Sequence, residues 1–155
     1  MAIYDSPLAK EGKVTALIKT RKGVLIWVNP NIRLPRTYKR FSGLFAQLLT
    51  KFKVQSETET LLEVIPGNIK DHLPKDALVV GTSSKARLVH DLDGYIESQE
   101  EKQPIVFVVG CAEKGSCGGS DHCTYLNDSI SLSHYSLSAP VVCQKVCYAY
   151  EDVKL

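Results

Sequence analysis

Apolar positions along the chain follow two periods, one helical and one of strands. Phe41, Leu44, Phe45, Leu48, Leu49 and Phe52 fall in one stripe when successive residues turn by about 100°. That spacing predicts an amphipathic helix starting at Pro35, whose fixed φ and missing N–H cost little in a first turn. Ahead of it, residues 14–20 and 24–28 are β-rich runs joined by Arg21-Lys22-Gly23, the pattern of a hairpin closed by Asn29-Pro30. Behind it, residues 61–65 predict a short strand that stops at Pro66-Gly67-Asn68, and residues 68–76 read as loop. Residues 77–80 predict a small strand running into Gly81-Thr82-Ser83-Ser84, and Val89, Leu92 and Ile96 a helix over 84–98. The continuous apolar run 105–109 reads as a strand buried on both faces of a parallel sheet, leading into the glycine-bounded segment 110–115. Residues 116–128 form a polar loop and 129–131 a further strand. A last helix, capped by Ser136 or Ser138, holds Pro140 in its first turn and turns Val142, Cys143, Val146, Cys147 and Tyr150 inward. Strands alternating with helices define an α/β layered domain.

The charge distribution sharpens this picture. Residues 1–53 hold 11 Lys and Arg against two acids, whereas residues 54–155 hold eight against 15, so a net charge of +2 hides a basic front and an acidic rear. Such asymmetry fits a nucleic-acid footprint, an acidic protein partner or a headgroup layer. No run approaches the ~18 apolar residues of a spanning helix and no signal peptide opens the chain, so no membrane partner and an intracellular protein are expected. With 155 residues, 44% of them hydrophobic, the chain suits one domain. Five cysteines without a secretory signal argue for reduced thiols. Cys143 and Cys147 lie one turn apart as core residues. Cys117 and Cys123, near Asp121 and His122, are spaced too widely for a usual zinc pair, and no metal is expected.

Arg33, Arg36 and Arg40 are the sharpest chemical feature. On the predicted helix Arg36 and Arg40 are four apart and share a face with Lys39, Gly43 and Gln47. Three permanently charged guanidinium forks near one helix N-terminus make a phosphate-sized cradle; the alternative is a solvated helix face. Three loops, residues 81–84, 110–115 and 132–139, follow the carboxyl ends of predicted strands, where open α/β sheets bind small ligands. Gly110 and Gly115 permit close backbone approach, but the segment lacks the Lys-Ser/Thr of a P-loop and the third glycine of a dinucleotide fingerprint. His72, His90, His122 and His134 are scattered, and no serine or cysteine sits in a recognisable nucleophile context.

Several long stretches, in order, resemble one family. They are Gly23-Val-Leu-Ile-x-Val-Asn-Pro-x-x-Arg-x-Pro-Arg-Thr-x-x-Arg-Phe-Ser-Gly-Leu44, then Asp71-His-Leu-Pro74 with Val80-Gly-Thr-Ser83. Pro104-Ile-Val-Phe-Val-Val-Gly110 and Ile130-Ser-x-Ser-x-Tyr-x-Leu-Ser-Ala139, leading to Cys143-x-Lys145, complete the set. Together they resemble the SPOUT-class small-subunit rRNA pseudouridine methyltransferases, a nucleolar ribosome-assembly factor of eukaryotes with archaeal relatives. The resemblance implies a SPOUT-type α/β fold with a C-terminal trefoil knot, a β-hairpin extension and a homodimer. It implies S-adenosylmethionine held by Thr82, Gly110, Gly115, Leu132, Ser133, His134, Tyr135, Ser136 and Leu137, and an rRNA hairpin held by Arg33, Arg36 and Arg40. It further implies ribosome-assembly proteins as partners and a nucleolar location, or a cytoplasmic one in a source without a nucleus. Family members carry a strand and a helix before the position of Asp5, including an Arg-Pro-Asp-type motif without counterpart here, so residues 1–155 are expected as one domain lacking that start, and no catalytic residue is assigned. Ser136 stands where the family has proline, Glu113-Lys114 where it has Ala-His, and Pro140 and the loop between Cys117 and Cys123 are likewise unusual. The functional expectation is methylation of a pseudouridine in small-subunit rRNA; the alternative is a catalytically silent rRNA-binding scaffold.

Overall fold

The structure is a computed structural model and describes residues 1–99, 103–111 and 124–155. Its chain divides into two compact units, one built essentially from residues 3–72 and the other from 73–155.

The first unit opens with a one-turn helix α1 (Pro7–Lys10), capped by Ser6, whose Oγ accepts from the Ala9 N–H at 3.3 Å. Strands β1 (Ala16–Lys19) and β2 (Leu25–Val28) form the expected hairpin. Its turn closes through Gly23 N–H to Thr20 O at 3.0 Å, and Gly23 takes the left-handed conformation that this turn requires (φ 81°). Helix α2 (Tyr38–Lys51) follows, then β3 (Lys53–Gln55) and β4 (Thr60–Ile65), completing an antiparallel sheet of order β1-β2-β4-β3. Tyr4, Ile26, Val28, Ile32, Leu48, Val54 and Leu62 meet in one buried cluster between this sheet and the helices. A 3₁₀ turn, Ile69–His72, stands within what the sequence reads as loop.

Three expectations change here. The helix starts at Tyr38 rather than Pro35, with Thr37 extended as its N-cap (ψ 139°). The cause lies upstream: Ile32 is buried and Leu34 packs against the core, so the chain stays extended through Pro35 to insert both. Strand β3 is absent from the sequence reading because the helical stripe runs to Phe52. That residue instead takes a left-handed conformation (φ 59°), its N–H bonding Leu48 O at 2.7 Å, and reverses the chain into the sheet. Within the apolar stripe, Leu48 alone is fully buried, while Leu49 and Phe52 are exposed.

The second unit is the parallel part of the α/β fold. Strand β5 (Leu78–Leu88) runs between β6 (Ile105–Val108) and β7 (Asp128–Ser131), in the order β6-β5-β7, with helices α3 (Leu92–Glu97) and α4 (Ala139–Lys154) packed on each other. The expected parallel strand at 105–109 is present, although it is half-buried and lies at the edge of the described sheet. The final helix begins as read, with Ser138 at its N-cap, Pro140 in its first turn and Cys147 buried. Residues 81–84, by contrast, are not a loop, and the helix does not start at Ser84. Gly81 and Thr82 continue the ladder to Ser129 and Ile130, and β5 pairs again through Arg87 and Leu88 after a register shift. Ladder bonds from β7 override the turn-like composition of Gly81-Thr82-Ser83-Ser84. No helix of the described residues is long and apolar enough to cross a membrane.

Candidate functional site

At the carboxyl end of the parallel sheet, the ladders align Gly81 with Val108 and Ser129, and Thr82 with Ile130. Thr82 is buried, and its hydroxyl donates to Val108 O at 3.0 Å, tying β5 to the point where β6 gives way to Gly110. Past β7, Ser131 is buried: its hydroxyl donates to Ser133 O at 2.8 Å while its carbonyl accepts from Val89 N–H at 2.9 Å. Ser133 Oγ in turn accepts from Tyr135 N–H at 3.0 Å, which sets the turn of residues 133–135. Thr82, Gly110 and the segment Leu132, Ser133, His134, Tyr135, Ser136 and Leu137 are thus brought to one end of one sheet. Leu132, Ser133 and Leu137 are half-buried, whereas His134, Tyr135 and Ser136 are exposed. The His134 ring faces that of His90, with centroids 5.7 Å apart. Gly115 lies outside the described residues, as do Glu113, Lys114, Cys117, Asp121, His122 and Cys123.

The frame under this end is fixed by residues that the sequence pattern does not single out. Asn127 grips Val79 twice, its Oδ1 accepting from Val79 N–H and its own N–H donating to Val79 O, each at 2.8 Å. Asp128 accepts from Tyr95 hydroxyl at 2.8 Å and from Arg87 at 3.2 Å. Burial, reinforced by Asp128 and opposed by Arg87, pushes the Tyr95 hydroxyl up to about 12, so it stays a donor at neutral pH. Asn127-Asp128 at the start of β7 was the available signal, since both residues favour local turns with their own backbone. Cys111, Cys143 and Cys147 form no disulfide among the described residues. Burial first, then Cys111 and Cys147, raise the Cys143 pKa, which suits a core thiol rather than a nucleophile.

The arginines belong to the first unit. Between buried Ile32 and half-buried Leu34, extended backbone puts Arg33 on the opposite, exposed side. Arg36 precedes the helix and Arg40 lies in its first turn, so they are not neighbours on one helical face as the sequence implied. Arg36 has a partner of its own: its guanidinium lies 3.5 Å from Asp5, with side chains 81% and 51% exposed, an ion pair worth about 0–1 kcal/mol. Arg33 and Arg40 form no ion pair with the described residues. Lys39 and Arg40 sit in a first turn with no acidic residue and no side-chain cap. Cations there oppose the helix dipole by about 0.3–1 kcal/mol each, a cost that a bound anion would relieve.

Asn29 holds this segment. Its buried amide donates to Thr60 O at 2.6 Å and Glu59 Oε2 at 3.1 Å, and its Oδ1 accepts from Asn31 N–H at 2.8 Å. Asn29→Ala leaves those groups unpaired and is expected to lower stability by about 1–3 kcal/mol. Urea unfolding checks this; an unchanged midpoint would show that the turn stands without the amide.

Comparison with known proteins gives the fold a counterpart and the chain a family. The structure matches the crystal structure of Archaeoglobus fulgidus Nep1 bound to S-adenosylhomocysteine with a TM-score of 0.79, at 24% identity, covering 97% of this chain and 66% of that one. That likeness is one of fold. The family described as EMG1/NEP1 methyltransferase matches residues 1–151, and the chain belongs to that family. It is 43% identical over 155 residues to ribosomal RNA small subunit methyltransferase NEP1 of Candida albicans, covering 99% of this chain and 57% of that protein. To the human protein of the same name it is 39% identical, covering 99% of this chain and 61% of that one. The chain therefore spans about three fifths of these relatives' length.

Proposed function

We propose that this chain acts as a single methyltransferase domain that transfers a methyl group from S-adenosylmethionine to a pseudouridine of a small-subunit rRNA hairpin. The observation that carries this is the convergence of Thr82, Gly110 and residues 132–137 at the carboxyl end of one parallel sheet, within a family of methyltransferases. The residues there suit the cofactor. Residues 132–137 contain no Asp, Glu, Lys or Arg, so nothing repels a sulfonium cation or demands a charged partner. Half-buried Leu132 and Leu137 offer apolar surface to a purine, and the backbone of Gly110 and of 132–137 offers neutral donors and acceptors for its edges. Bound there, the cofactor would supply an electrophilic methyl group.

What the chain does for the reaction is positioning. The hydroxyls of Thr82 and Ser131, already bonded within the sheet, hold the strand ends rigid, and alignment of donor and acceptor supplies most of the acceleration in such transfers. Arg33, Arg36 and Arg40 hold RNA phosphates, and an unpaired hairpin loop makes the target base cheap to splay out. The C-terminal trefoil knot, the homodimer, association with ribosome-assembly proteins and a nucleolar location belong to the same reading.

Isothermal titration with S-adenosylmethionine and S-adenosylhomocysteine is the test. Micromolar binding of both, followed by methyl transfer to a pseudouridine-containing hairpin, is the expected result. A folded protein that binds neither would sink the enzymatic reading and leave an rRNA-binding scaffold.

A further inference from the structure

Tyr38 is the most exposed large apolar side chain among the described residues, at 85%. It opens α2, the core of which rests on Leu48, and it contributes nothing to the buried cluster. Its chain neighbours are cations: exposed Arg36, Lys39 and Arg40, with Arg33 on the same approach to the helix. An apolar protein surface laid on this ring would have to desolvate those charges without compensation. Single-stranded nucleic acid is complementary to the whole arrangement, because it brings phosphates for the guanidinium groups and a flat π-face for the ring. Tyrosine also stacks at low entropic cost, having only two side-chain torsions to fix.

We infer that Tyr38 is a stacking platform for an unpaired base of the RNA, flanked by arginines that hold the adjoining phosphates. This rests on the RNA-binding role proposed for the arginines and adds to it a residue that engages a base rather than the backbone. A stacked ring would give a preference for looped over fully paired RNA, which the arginines alone would not, since both forms carry phosphates.

The test measures binding of the 155-residue protein to a fluorescein-labelled RNA hairpin with a pyrimidine loop, and to a blunt RNA duplex of equal length. Tyr38→Ala is expected to weaken hairpin binding roughly 5- to 100-fold, with an unchanged salt slope and little effect on the duplex. Tyr38→Phe keeps the ring and should keep the affinity. Full affinity of Tyr38→Ala for the hairpin, while Arg40→Ala binds worse, overturns the stacking role, assigns the ring to a protein contact and leaves the RNA reading intact. Equal losses on hairpin and duplex overturn it too, because a base in a duplex cannot stack on the ring. A wild-type protein that binds neither RNA overturns both readings.

Discussion

Alanine at Arg33 and Arg40 together is expected to lower affinity for the rRNA-type hairpin roughly 100-fold, taking about 1.5 kcal/mol for each charge-assisted hydrogen bond to phosphate that the truncation removes. Two fewer neutralised phosphates should also flatten the log–log salt dependence by about two units between ~50 and 200 mM salt. The structure makes the third arginine behave differently. Arg36 has to leave Asp5 before it reaches a phosphate, so Arg36→Ala should cost less than either of the others. The sign reverses at the carboxylate: Asp5→Asn frees Arg36, removes a nearby negative charge and raises RNA affinity by up to about fivefold, the worth of a surface pair. Unchanged affinity and slope in the Arg33/Arg40 double variant would place the polyanion elsewhere on the molecule. Weaker binding after Asp5→Asn would show that Asp5 orders Arg36 for the RNA instead of competing for it.

These contrasts depend on interactions that a sequence does not display. The arginines themselves were legible, because three guanidinium groups beside a proline and a helical stripe are unusual in any chain. Their arrangement was not, because Pro35 fits a helix start and the packing of buried Ile32 and half-buried Leu34 into the core keeps the backbone extended past it. Nor does any local pattern announce Asp5, which meets Arg36 across a fold made by distant segments. The hairpin at Gly23 was readable because its turn chemistry is local, and the final helix because Ser138 and Pro140 mark its start. Strand β5 was readable only as far as Val80. Beyond that, Gly, Thr and Ser have turn-like preferences, and the partner that overrides them, β7, pairs Gly81 with Ser129, 48 residues further along the chain. For the carboxyl end of the parallel sheet, the order of segments was legible from family resemblance, while the Thr82–Val108 and Asn127–Val79 bonds that hold it together are tertiary facts.

Leu48 and Leu49 give the second large effect, and they give it as a contrast between neighbours. Both lie in the apolar stripe of α2 and look equivalent by helical spacing. Yet Leu48 is wholly buried among Ile26, Val28, Val54 and Leu62, whereas Leu49 is 55% exposed. Leu48→Ala removes core packing and leaves a cavity, which typically costs about 2–5 kcal/mol. Leu49→Ala should stay within about 0.5 kcal/mol, helped by the slightly better helix propensity of alanine. Against a total stability of about 5–15 kcal/mol for a domain, the first loss is large enough to read directly as a lower urea midpoint with an unchanged slope. It also reaches the proposed RNA surface. Leu48 is the one fully buried side chain of α2, so the helix that carries Tyr38 and Arg40 is anchored chiefly there. Near its unfolding midpoint, Leu48→Ala should therefore bind RNA in proportion to its folded fraction, while Leu49→Ala keeps wild-type affinity. Equal destabilisation by the two substitutions would show that both faces of α2 are covered, and that Leu49 has a partner in solution.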